Sequence, residues 1–174
     1  MATAQARDRA RPLPALVDWL IDHGIEYSLH EHPTTMTARE TARAEHVSPQ
    51  SFAKAIGVVA DGHRALIVLE ASDHLDILRA RHVIGAAQVR LMTEEELGEA
   101  CPGCEVGATP PVGSLFELPT YADVTLREDP EITFNAGSHG WAVRVSRPAW
   151  ERSAVPVWAD LAEHRNIEPA WFRS

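Results

Sequence analysis

Apolar residues recur along this chain with two different periods, and the switches between them outline most of its architecture. Leu13, Leu16, Val17, Leu20 and Ile21 fall at helical spacing, so a first amphipathic helix is predicted there, ended by Gly24. Ile25, Tyr27 and Leu29 then alternate with Glu26, Ser28 and His30, the period of a half-buried strand. Thr37-Ala38-Arg39-Glu40 has the form of a capping box and opens a short helix to about His46. Ser48-Pro49 reads as another N-cap followed by proline at the first helical position, with room for only a short turn. Phe52 to Val59 and Arg64 to Glu70 are apolar runs flanking Asp61-Gly62, a strong hairpin signal. In that register Phe52, Lys54, Ile56 and Val58 share one face, so Lys54 points with apolar side chains.

The second half alternates in the same way. A helix is expected after Asp73, through Leu75, Ile77, Leu78 and Val83 to Gly85. Gln88 to Met92 reads as a short strand, and Thr93-Glu94-Glu95-Glu96 as a capping box for a helix to Ala100. Residues 101–113 form a Gly/Pro-rich loop. Ala122 to Leu126, Glu131 to Phe134 and Trp141 to Ser146 are strand candidates, and a terminal helix is expected over Val157 to His164. Short strands among short helices, without a regular βαβ rhythm, predict an α+β (mixed α/β) fold whose mixed sheet can close toward a barrel.

Length and charge narrow the function classes. A chain of 174 residues is long enough for one domain with a real core, placed here at 13–165, between a disordered basic leader over 1–12 and a tail over 166–174. The formal net charge of −9 argues against a protein that grips DNA or long RNA by neutralising phosphates. Runs such as Ala65 to Leu69 are too short to span a bilayer, and no apolar signal core follows Arg7, Arg9 and Arg11, so a cytoplasmic protein away from the membrane is expected. Neither a Gly-x-Gly-x-x-Gly fingerprint nor a Walker-type loop is present, which leaves nucleotide-dependent chemistry unsupported.

Three stretches carry candidate chemistry. Of the sixteen Lys and Arg residues, Lys54 alone is lysine. An ammonium among apolar neighbours is costly to bury and changes its pKa readily, which marks it for a role. In Gly107-Ala108-Thr109-Pro110-Pro111-Val112-Gly113 the prolines stiffen the backbone and the glycines widen its choices. The amides of Gly107 to Thr109 are then candidates to converge on a carbonyl oxygen as it becomes an oxyanion. Asn135-Ala136-Gly137-Ser138-His139-Gly140 places a histidine in a glycine-rich turn, and His32-Pro33 follows the first strand. Cys101-Pro-Gly-Cys104 has too few partners for a structural metal site and reads as a turn with flanking thiols, with a redox pair as the alternative.

Taken together, Phe-Ala-Lys54, Gly107-Ala-Thr-Pro-Pro-Val-Gly113, Asn135-Ala-Gly-Ser-His139 and His32-Pro33 resemble the YbaK/ProX-type trans-editing proteins. These are relatives of the insertion domain that edits mischarged tRNA in bacterial prolyl-tRNA synthetases. The similarity runs from about Ile25 to Leu161. It implies a mixed, largely antiparallel, barrel-like sheet flanked by helices, and hydrolysis of the ester joining a wrong, small amino acid to the tRNA 3′ end. By motif, Lys54 takes the place of the essential lysine. Gly107, Ala108 and Thr109 fall in the carbonyl-binding loop. Pro110, Pro111, Gly137, Ser138, His139 and His32 would line the substrate. No metal or other cofactor is implied. The implied partners are the tRNA acceptor end, held weakly and locally, and an aminoacyl-tRNA synthetase. Non-catalytic recognition of an aminoacyl or nucleotide end, and Schiff-base chemistry at Lys54, are the competing readings.

Overall fold

A computed structural model describes residues 11–48 and 50–163. Eight strands form one mixed sheet: β1 (Tyr27–Glu31), β2 (Phe52–Ala60), β3 (His63–Glu70), β4 (Val89–Leu91), β5 (Thr120–Asp123), β6 (Glu131–Asn135), β7 (Trp141–Ser146) and β8 (Val157–Ala159). They run in the order β1-β7-β6-β2-β3-β5-β8, with β4 also on β2. The contacts β1–β7, β6–β7, β2–β3 and β2–β4 are antiparallel; β2–β6, β3–β5 and β5–β8 are parallel. The helices are α1 (Pro14–Asp22), α2 (Ala38–Ala44), α3 (Ile77–Ile84), α4 (Glu94–Ala100) and α5 (Arg147–Ala154). None of the described helices is long and apolar enough to cross a membrane. The mixed, helix-flanked sheet is the fold class expected from the pattern.

Both faces of the sheet are covered, which is why its central strands read as nearly continuous apolar runs. On one face Ala53, Val68, Ile132, Phe134, Val143 and Val145 pack with Leu16 and Leu20 of α1 and Trp150 of α5. On the other, Val58, Ile67 and Leu69 pack with Ala80 of α3, and Phe52 packs with Ala42 of α2. The β2–β3 hairpin turns at Asp61 and Gly62, with φ of 48° and 83°, the left-handed pair that matches strand twist. The capping signals at Thr37 and Thr93 also act as read, accepting from the Glu40 and Glu96 amides.

Three expectations need correction. The helix after Asp73 is capped by Asp76, whose carboxylate accepts from the Leu78 and Arg79 amides. The strand placed over Ala122 to Leu126 ends at Asp123, and residues 124–128 turn into a 3-10 helix. The terminal helix predicted over Val157 to His164 is absent as far as Glu163, and His164 lies outside the described residues. Val157 to Ala159 instead pair with Tyr121 to Asp123. The buried Asp123 carboxylate accepts from the Leu161 and Ala162 amides. An open strand edge and a buried acceptor outcompete local helical spacing. The helix the pattern missed is α5, where Ser146 is the N-cap and Pro148 lies in the first turn. Its apolar stripe is too sparse to read. The 1–12 leader, Pro49 and the 166–174 tail fall wholly or largely outside the described residues.

Two stability predictions follow from this packing. A Cβ on Gly113 would stand 2.2 Å from Thr120 Oγ1 and 2.3 Å from the Leu118 carbonyl oxygen, so backbone must move. Gly113→Ala should therefore cost about 2 kcal/mol or more in a urea melt. Burial pushes the Glu70 carboxyl up to about 7, assisted by the charges of Asp73, Asp129 and Asp123 and opposed by the Thr125 hydroxyl. Between about pH 4.5 and pH 7 the folded protein therefore holds a proton that the unfolded chain has lost, and stability falls as pH rises through this window. Glu70→Gln should flatten that decline, as read from urea midpoints at pH 4.5, 5.5 and 7.

Candidate functional site

Lys54 enters the site because β2 pairs with β6 in parallel. Phe52 lies beside Thr133 and Ala53 beside Phe134, so the next step of that register brings Lys54 beside Asn135. Ile132, Phe134 and Ala136 belong to the α1 side of the sheet, and alternation turns Thr133 and Asn135 to the other. Val143 and Val145 of β7 likewise leave Ala142 and Arg144 on that second face. His30, Ala142 and Asn135 are cross-strand neighbours in one row, which Lys54 extends.

The Lys54 ammonium is half-buried and donates to the Ala71 carbonyl at 3.2 Å and to the Asp73 carbonyl. An ammonium has three donors, so two are engaged by backbone and one is left for a ligand. Burial lowers its pKa, the nearby Asp73 charge works against that, and Arg39 of α2 adds to it. This is a charge held in place by carbonyls rather than a freely moving surface lysine.

The predicted loop and turn are laced together. The Glu105 amide donates to the Gly137 carbonyl at 2.9 Å, and the Gly137 amide to the Ala108 carbonyl at 3.0 Å. His139 Nε2 donates to the Val106 carbonyl at 2.7 Å, and a Cβ on Gly107 would lie 3.4 Å from the ring's Cε1. Gly107 is exposed with φ of 87°, whereas residues 108–113 are buried. The Ala108 amide donates to the Glu105 carbonyl at 3.0 Å, so it is engaged in the loop's own turn rather than open to a ligand. Among the described residues, the Gly107 and Thr109 amides meet no acceptor within the protein. The Pro110 carbonyl accepts from Val112 at 2.8 Å, and Pro111 accepts from the Trp150 indole of α5 at 3.0 Å. The unforeseen helix thus buttresses the loop. Ser138 Oγ accepts from the Gly140 amide at 3.2 Å, closing the turn on itself.

His32 joins from the β1 side. Its amide donates to the Gly140 carbonyl at 3.0 Å, and the Thr35 amide to the His139 carbonyl at 3.2 Å. The segments around 32–35, 105–109 and 135–140 therefore form one connected wall. A cleft of about 580 Å³ is lined by Gly137 and Ser138 together with Arg11 to Pro14, and Lys54 does not line it. Within the wall, His32 Nε2, Thr109 Oγ1 and Asn135 Oδ1 are buried without a hydrogen-bond partner. Buried polar atoms are usually satisfied, so such orphans mark places where a ligand is awaited. Asn135 and Arg39 were not among the expected site residues. Only the strand register and the packing of α2 reveal them.

Other chemistry fares less well. Burial raises both thiols, Cys104 to about 12, with the neighbouring Cys101 adding to it, so thiolate character is suppressed. Among the described residues no cluster of three or more His, Cys, Asp or Glu side chains is arranged to hold a metal.

Comparison with known proteins identifies relatives of this chain. The aminoacyl-tRNA editing domain family matches residues 32–152. The proline–tRNA ligase of Shouchella clausii (strain KSM-K16) is 33% identical over 138 residues, covering 79% of this chain and 24% of that protein. That of Acidithiobacillus ferrooxidans (strain ATCC 53993 / BNL-5-31) is 28% identical over 136 residues, covering 78% of this chain and 23% of that protein. The chain thus spans about a quarter of the length of these relatives. A solved structure of a proposed trans-editing enzyme for prolyl-tRNA synthetase is 26% identical, with a TM-score of 0.78 over 94% of this chain and all of that one. With the match running over residues 32–152, most of its length, this chain belongs to the aminoacyl-tRNA editing domain family.

Proposed function

We propose that the protein is a deacylase that hydrolyses the ester of a mischarged aminoacyl-tRNA, releasing a small amino acid. The observation that carries this is a half-buried ammonium with one donor left over, set by strand register next to Asn135; the unspent Gly107 and Thr109 amides of the family loop support it. An ester is already activated, so the protein need only place water and stabilise the oxygen that becomes negative. The Gly107 and Thr109 amides take the carbonyl oxygen. Ala108 supports them through the loop rather than by donating. Lys54 takes the terminal phosphate or orients the attacking water.

One feature favours this over Schiff-base chemistry, which needs a free amine, whereas Lys54 donates to two carbonyls. A pure binding module would use the same donors, so hydrolysis itself separates the two. A small pocket sets the choice of amino acid by excluding larger groups, since apolar pockets reject smaller ones poorly. Release of amino acid from alanyl, seryl, cysteinyl and threonyl esters on tRNAs for proline and others is the direct assay. Hydrolysis of at least one of them is expected, and Lys54→Ala should lose about 100-fold or more. Equal rates for the two proteins would favour a non-catalytic module.

Contact with tRNA is confined to the acceptor end. Arg79 is held by Asp76 and Asp160, and Arg90 by Glu96, so neither is idle. Arg144, on the same face as Lys54, bonds Thr133 Oγ1 at 3.4 Å and is the better candidate for a phosphate. With few cations and a net charge of −9, binding is weak. A synthetase partner would strengthen it. Filter binding of uncharged tRNA should fall steeply between 50 and about 200 mM salt. Tight association at high salt would contradict a local footprint.

A further inference from the structure

The deacylase reading so far assigns no acceptor for the proton that water must lose when it attacks an ester. The three orphaned atoms are the candidates, and chemistry separates them. Asn135 Oδ1 is a carboxamide oxygen and Thr109 Oγ1 a hydroxyl, and neither is basic enough to take up a proton from water. His32 Nε2 is an imidazole nitrogen, the side-chain atom most often used as a general base. His139 is less suited, since its Nε2 is spent on the Val106 carbonyl.

The tautomer of His32 is fixed by its surroundings. Its Nδ1 lies 2.8 Å from the Pro33 carbonyl oxygen, which can only accept, so Nδ1 carries the proton. In the neutral ring Nε2 is then a bare lone pair, and it is buried with no protein partner. Only 9% of the residue is exposed, so bulk water does not substitute freely. His32 follows β1, and the bond from its amide to Gly140 continues the pairing with β7. Alternation then sets its side chain on the face that carries His30, Asn135 and Lys54.

We propose that His32 is the general base of the hydrolysis, accepting through Nε2 the proton of the attacking water. This rests on the deacylase reading above and adds the residue that makes it work. The water oxygen bonds to the acyl carbon while its proton passes to Nε2. The bond between that carbon and the ribose oxygen then breaks, and the proton moves from Nε2 to the departing oxygen. The products are a free amino acid and a tRNA ending in a hydroxyl. The Pro33 carbonyl keeps the ring in the accepting tautomer, as a second group does in other catalytic histidines. The ionisable groups on the elements around it are Glu31, His30 paired with Glu45 at 3.1 Å, Arg39, Lys54 and His139.

His32→Asn is the informative variant, because an asparagine amide can still donate to Pro33 while the Nε2 lone pair is gone. On the ester that wild type cleaves best, kcat should fall about 100-fold or more with KM little changed. The limb of the wild-type pH–rate profile that reports a base should be lost in the variant, whose thermal unfolding is monitored alongside. A folded His32→Asn protein that keeps both the rate and the pH limb overturns the role of His32 alone and leaves deacylation standing. A wild-type protein inert on the whole panel overturns both. Should the variant fail to fold, long-range proton–nitrogen NMR on the wild type decides. A proton on Nδ1 with a bare Nε2 at neutral pH supports the assignment, and the opposite tautomer overturns it.

Discussion

The parallel contact between β2 and β6 is the constraint on which the site depends. It consists of Phe52 against Thr133 and Ala53 against Phe134, after which β6 ends at Asn135 while β2 continues through Lys54 to Ala60. Because side chains alternate across a sheet, this register decides that Lys54 and Asn135 share a face. A slip by one residue would turn Lys54 into the core beneath α1 and Asn135 away from it. The long antiparallel pairing of β2 with β3, from Ala53–Glu70 to Ala60–His63, fixes β2 and so protects the short contact from slipping.

Electrostatics build on that register. A lysine placed among apolar side chains loses hydration, and the protein returns part of it as carbonyls from the end of β3 and the residues after it. The same turn from strand to helix carries Asp73, whose charge offsets the desolvation of the amine. Glu70, just before it, is kept on the opposite face, and burial raises its carboxyl to about 7. An acidic chain thus keeps its one lysine half-buried, while Arg64, Arg79, Arg90, Arg127 and Arg147 are paired with carboxylates.

Rigidity comes from how loops are tied. The segment holding Gly107 has no regular structure, yet its carbonyls are bound by Gly137, His139 and Trp150. Prolines at 110 and 111 remove donors that burial would otherwise leave unsatisfied. Among the described residues three buried side-chain atoms remain unsatisfied besides the Gly107 and Thr109 amides, and two of them, on His32 and Asn135, lie on the face that carries Lys54. Loops positioned by a stiff scaffold are common carriers of function, and here the scaffold includes a helix with a weak sequence signal.

Much was legible in the sequence because it is encoded by neighbours. The hairpin follows from Asp61-Gly62, the caps at Thr37 and Thr93 from their own glutamates, and the singular lysine from composition. The loop and turn were recognisable as a set through their motifs. Contacts between distant residues were not legible. Nothing local indicates that Asp123 captures the Leu161 and Ala162 amides and so favours a strand over a helix at Val157. Nor does the sequence reveal that the Ala108 amide is spent while the His32 ring nitrogen is left bare. The sequence by itself determined the inventory of elements and the chemistry available to them, since propensity, period and capping act within a few residues. Which donors and acceptors are still free was decided only by tertiary structure, because satisfaction of a buried polar atom depends on what the rest of the chain brings to it.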